Sequence, residues 1–173
     1  STKENLPAKI EGIQTWVALP VEHEDTAPTF EHYRSDVIPV IEGEQWKLRL
    51  IAGTLMGKVS PVKTHSPLFY ADLETTGAAI IELELPPGEE AALYVSRGSF
   101  TASGLTAQVG AMIVLTGEAR VKLSSASAAR AVLLGGKKFP EPRHLWWNFV
   151  STSKDRIERA KAEWQANTMG IVA

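Results

Sequence analysis

The stretch LPPGEEAALYVSRG, Leu85 to Gly98, decides how the rest of the chain is read. Pro86, Pro87 and Gly88 make a turn, Ala92 to Arg97 alternate as a half-buried strand does, and Gly98 ends the run. The same rhythm repeats on both sides. WKLRLIAG (46–53), LFYADLE (68–74), AIIELEL (79–85), MIVLTG (112–117), ARVKLSS (119–125) and ARAVLLGG (129–136) are short β-branched or aliphatic runs between Gly, Pro and polar turns. IQTWVAL, Ile13 to Leu19, bounded by Gly12 and Pro20, reads as a further strand near the amino end. Strands this short and numerous predict an all-β fold, a two-sheet jelly roll that wraps its edges together.

At 173 residues the chain suits one domain with one sizeable core. Hydrophobic residues make up 44% and charged residues 22%, the composition of a folded globular chain. The net charge of -2 supplies no field for nucleic acid or an anionic membrane, so neither is an expected partner. With no cysteine, disulfides, thiolate metal sites and cysteine nucleophiles are excluded. The amino end STKENLPAKIEG lacks an apolar leader core, and no window approaches the about 18 apolar residues of a membrane span. The expectation is a cytoplasmic protein.

VEHEDTAPTFEHYRSDVIPVIEGEQ, from Val21 to Gln45, is polar and proline-bearing and reads as a long surface connection. Past Ser153 the period changes: KDRIERAKAEWQAN sets Ile157, Ala160 and Trp164 on one helical face. One amphipathic helix is therefore predicted at the carboxyl end. Thr152 with Asp155 forms a variant capping box, with Ser151 and Ser153 as alternative caps. The predicted layout is residues 1–40 as first strand and connection, 41–140 as barrel core, and 141–173 as tail and helix.

The candidates for chemistry are sparse. Glu22, His23, Glu24, Asp25, Glu31 and His32 have metal-ligating side chains, but no strand or helix spacing aligns them, and they read as a solvated loop. His65, at a strand entrance where a barrel mouth would lie, is the histidine most suited to a ligand site; His144 sits beside two tryptophans. GTLMGK (53–58) is one residue short of a phosphate-binding loop and reads as a hairpin turn. Glu89 and Glu90 would point to opposite faces of a strand and so would not cooperate. Trp146 and Trp147 in WWNFV read as a cover for the bottom of the core, with Trp164 packed nearby.

GIQTWVALP, IPVIE, IAGTLMGKVSPVKTHSPLFYADL and LLGGKKFPEPRHLWWNFVSTSKDRIERAKAEW resemble, in order and over nearly the whole chain, segments of the pirins, a family of two-cupin proteins. The part resembled is the C-terminal cupin. The resemblance implies a cupin-type jelly roll with one C-terminal helix. It also implies that iron, held in pirins by three histidines and a glutamate, belongs to an N-terminal cupin outside these 173 residues. Aligned on Gly98, the cupin ligand slots fall on Glu84, Pro86 and Ala91, with Glu90 entering if the alignment shifts by one. Counted from Gly110, the last slot falls on Arg120 or Val121. No imidazole occupies any of them, so no cofactor is expected in this chain.

By resemblance the complete protein would open the flavonol ring of quercetin or act as a redox-sensitive regulator. This chain would then be its metal-free structural half, either cut from a longer product or a short protein that never had the other half. Its expected partner is the iron-bearing cupin or a second copy in a homodimer, besides other proteins, with the first strand and the WWNFVS tail as contact candidates. The alternative is a standalone cupin that binds or converts a small molecule inside the barrel, lined by His65, Tyr94 and Arg97.

Overall fold

A computed structural model of the chain describes residues 12–115 and 119–169. Residues 1–11, from which the absence of an apolar leader core is expected, and residues 116–118 and 170–173 lie outside them. Strands β1 (Val40–Gly43), β2 (Trp46–Leu55), β3 (Lys58–Val59), β4 (Leu68–Thr75), β5 (Ala79–Glu84), β6 (Glu90–Arg97), β7 (Ser99–Ala102), β8 (Leu105–Gln108), β9 (Met112–Leu115), β10 (Arg120–Ser125) and β11 (Ala129–Gly136) build two antiparallel sheets. A hairpin, β12 (His144–Trp146) and β13 (Phe149–Ser151), and helix α1 (Lys154–Gln165) follow. The larger sheet has seven strands in the order β1-β2-β4-β11-β6-β9, with β3 paired to the end of β2; the smaller has the order β5-β10-β7-β8. This is the mostly β, cupin-type jelly roll expected, with one α-helix among the described residues.

Period-2 alternation fixes which side chains fill the space between the sheets. Leu48 and Leu50 on β2, Phe69, Ala71 and Leu73 on β4, Leu93 and Val95 on β6, and Ala131 and Leu133 on β11 are all 0 or 1% exposed. Ile81, Leu83, Phe100 and Leu123 meet them from the smaller sheet, equally buried. The barrel interior is thus filled by aliphatic and phenyl groups. Gly98 ends β6 at φ 68°, where a Cβ would lie 2.8 Å from the carbonyl oxygen of Ala128. The glycine that closes the opening stretch is therefore a backbone requirement. Met56 and Gly57, both at positive φ, turn β2 into β3 with Leu55 opposite Lys58, the hairpin expected of GTLMGK.

The first predicted strand does not form. Ile13 to Leu19 is extended but pairs with no sheet, and Ile13, Trp16 and Val17 are 47%, 52% and 57% exposed. Strand-like composition needs a free edge to pair with; this arm instead lies across one end of the large sheet, where Thr15 Oγ1 donates to Tyr70 Oη at 2.9 Å. The tail reading changes too. Ile157 is buried as the helical period demands, and Ser153 is the cap, its Oγ accepting from the Arg156 amide at 3.4 Å. Trp147 and Trp164, however, are 65% and 54% exposed. The WWNFV segment forms a separate hairpin against α1, with Trp146 stacked on Phe149 at 5.9 Å, and does not floor the core.

Candidate functional site: the arm, the tail and the outer sheet face

The cupin ligand slots carry no donor set that suits a transition ion. Ala91 and Val121 project into the core at 3% and 1% exposure, and neither has a ligand atom. Glu84 faces solvent and pairs with Arg120 across β5 and β10 at 2.9 Å. Pro86 belongs to the turn, its carbonyl accepting from the Glu89 amide. Glu90, the shifted candidate, is exposed and ion-pairs with Lys138 at 3.7 Å. The residues therefore do not fit the iron that the fold family implies. Among the described residues no group of three or more His, Asp or Glu is placed to hold a metal.

The expected ligand-lining set is divided by the fold. Tyr94 alternates with the inward Leu93 and Val95, so it stands on the outer face of the large sheet, in register with Val132 and Met112. Arg97 ends the same strand, half exposed, and pairs with Glu74 at 2.8 Å. Neither lines the filled interior. His65 does line a cavity, of about 290 Å³, but outside the barrel, between the arm and the β4 entrance with Ile13, Val17, Lys63 and Tyr70. Its ring lies 4.6 Å from that of His23, a contact that no sequence spacing announced.

The acidic connection is only partly the solvated loop expected. After a 3-10 turn at Val21–His23, the Glu24 side chain is 8% exposed. It accepts from Ser151 Oγ at 2.7 Å and the Thr152 amide at 2.8 Å, with Arg143 and Arg156 at 3.8 and 3.6 Å. Burial alone would raise its pKa; the hydrogen bonds from Ser151 and Thr152 and the charge of Arg143 outweigh it, and the carboxyl titrates below its ordinary value. Glu24 therefore pins the amino-terminal connection to the tail across more than one hundred residues of sequence. Arg143 completes the pin by donating to the Leu19 carbonyl at 3.0 Å. Polar composition made this carboxylate look like its exposed neighbours, and nothing local in the sequence marks it.

As a result the arm and the tail hairpin lie side by side and share a cavity of about 310 Å³ lined by Trp16, Leu19, Glu24, Arg143, Asn148 and Val150. On the other side of the arm a larger groove, about 610 Å³, runs over the end of the large sheet. Glu89, in the turn before β6, keeps one carboxyl oxygen buried without a hydrogen-bond partner, and burial raises its pKa. What the surface offers is apolar contact area: Ile13, Trp16 and Val17 on the arm, Leu145 and Trp147 on the hairpin, all exposed.

A family model described as the pirin C-terminal cupin domain matches residues 70–170. The chain is 39% identical over 166 residues to a pirin-like protein of Caulobacter vibrioides, covering 94% of this chain and 56% of that protein. A pirin-like protein of Solanum lycopersicum is 27% identical over 170 residues, covering 95% and 58%. The crystal structure of a quercetin 2,3-dioxygenase from Acinetobacter baumannii superposes with a TM-score of 0.81 at 31% identity, covering 88% of this chain and 50% of that one. The chain thus spans about half the length of the relatives it matches.

Proposed function

Because the chain belongs to the pirin family, we propose that it acts as the metal-free, structural and partner-binding half of a two-cupin protein whose other half carries the iron. What carries this reading is the chemistry of the ligand slots: a methyl group at Ala91 and an isopropyl group at Val121 stand in the core where a cupin needs imidazole or carboxylate. The function left to the domain is binding. Exposed large apolar side chains on both the arm and the tail hairpin support a docking surface there. In the complete protein the quercetin 2,3-dioxygenase-like or redox-regulatory activity would then reside in the iron-bearing half, in the cytoplasm. The aliphatic and phenyl side chains packed between the sheets favour this reading over the alternative of a standalone cupin with a ligand inside the barrel.

The test pairs metal analysis with capture. The untagged chain should hold far less than one iron, nickel or zinc per chain after dialysis against the metal. It should also bind an iron-bearing N-terminal pirin half supplied as a separate chain, and self-associate at high concentration when that half is absent. Trp147→Asp and Trp16→Asp should abolish both associations. One tightly held metal per chain, or capture unchanged by both substitutions, would refute the proposal.

A further inference from the structure

The 610 Å³ groove has a composition that the docking reading does not explain. Its floor is the apolar end of the outer sheet face, where Tyr70, Leu134, Ala92 and Val114 come into one row across β4, β11, β6 and β9. Trp16 from the arm and Phe139 from the segment after β11 line it as well. Gly136, at the end of β11, puts no side chain into this space. The volume lies within the range of small-molecule sites, and the lining is mostly apolar with a few polar groups, as such sites are.

Those polar groups are Glu90, Lys137 and the hydroxyls of Tyr70, Thr15 and Ser66. Glu90 at the rim is engaged by Lys138. Lys137, also lining the groove, is exposed and ion-pairs with no described residue. Tyr70 Oη accepts from Thr15 Oγ1, which leaves the phenolic proton free to donate. One unpaired cation and one hydroxyl donor beside aromatic walls call for an anion carried on a flat apolar body. We infer that the groove between the arm and the outer sheet face is a binding site for an aromatic carboxylate, its ring against Trp16 and Phe139 and its carboxylate between Lys137 and the Tyr70 hydroxyl.

The chain by itself, without any partner half, serves for the test, so failure here and failure of the docking proposal are distinguishable. Titration with 1-naphthoate, followed by backbone amide shifts, should saturate and move Thr15–Ala18, Tyr70 and 134–137 together. Lys137→Ala, an exposed position whose change leaves the fold intact, should weaken naphthoate binding by about fivefold, the upper end for an exposed charge pair. Uncharged 1-naphthalenemethanol should bind the parent chain that much more weakly than naphthoate, and bind the Lys137→Ala chain as well as the parent. No saturation at millimolar ligand, shifts centred elsewhere, or equal naphthoate affinity in Lys137→Ala would each overturn the assignment.

Discussion

Replacing Glu24 by alanine tests whether one buried carboxylate holds the two ends of the described chain together. The side chain is nearly inaccessible, and it accepts from Ser151 Oγ and the Thr152 amide at 2.7 and 2.8 Å. A hydrogen bond to a charged acceptor contributes about 1.5–3 kcal/mol, and the contacts to Arg143 and Arg156 at 3.8 and 3.6 Å add less because they are long. Truncation also strands Arg143, only 13% exposed, without its carboxylate. The expected loss is about 3 kcal/mol in the opening of the tail, which is about a hundredfold in the exchange rate of the Val150 and Ile157 amides. Amides of β4 and β11 should not change. The sign with pH follows from a carboxyl titrating below its ordinary value of 4.5: the stabilisation is complete above that value and disappears as pH falls through the lower folded one. Glu24→Gln should therefore make tail opening insensitive to pH in the acid range. A control at Asp25, whose pair with Arg156 at 2.7 Å is 86% exposed on the acid side, should change opening by less than about 1 kcal/mol. Tail exchange accelerated less than about threefold by Glu24→Ala would refute the latch, as would additivity of Glu24→Ala with Ser151→Ala in a double-mutant cycle.

Two backbone predictions follow from glycines of the same hairpin and from the helix cap. Gly53→Ala should cost about 3 kcal/mol or more in thermal or urea unfolding, because φ is 78° and the new Cβ would lie 1.8 Å from the Leu68 carbonyl oxygen. Gly57→Ala, at φ 73° in open space, should cost only about 1–2 kcal/mol; equal losses at the two positions would mean that the close approach to β4 is not what matters. Ser153→Ala should destabilise α1 by about 0.5–1 kcal/mol, the low end for an N-cap because the bond to the Arg156 amide is 3.4 Å long, read as faster exchange in the first turn of the helix.

The strands were legible because burial on one face writes itself into the sequence at every second residue: WKLRLIAG, AIIELEL and ALYVSRG alternate in the text as they do in the sheets. IQTWVAL has the same composition and fails, since composition reports fitness for a pleated sheet but not the presence of an edge to join. Helical period correctly put Ile157 inward. It could not tell that α1 outruns the hairpin it packs on, which leaves Trp164, two turns further along, in solvent. The site was less legible. Alignment on Gly98 located Ala91, and counting from Gly110 reached Val121, both inward by alternation alone; Tyr94 has the outward parity, and Arg97, of the inward parity, is turned out past the register shift between Arg130 and Ala131. Glu24 and the His23 and His65 pair were beyond reach, because their partners come from turns whose spatial meeting no local pattern encodes.

The arm carries both the contact to the pin and exposed apolar side chains. At its base Pro20 is buried and Leu19 half-buried beside the Glu24 and Arg143 pin, while Trp16 and Val17 are exposed, so its placement is stabilised by polar contacts at its base rather than by its own apolar side chains. A segment folded for the sake of this domain alone would invert that arrangement, since each fully buried large apolar side chain contributes about 1.5–3 kcal/mol and here that contribution is largely forgone. The unused apolar area is available to an outside surface. Pinning at Glu24 lowers the conformational entropy that such a partner would otherwise have to remove when the arm is ordered. Loosening the pin should therefore weaken partner capture even though Glu24 itself, 8% exposed, is hardly available for partner contact. If Glu24→Ala opened the tail a hundredfold faster and left capture untouched, the arm would not be the docking element.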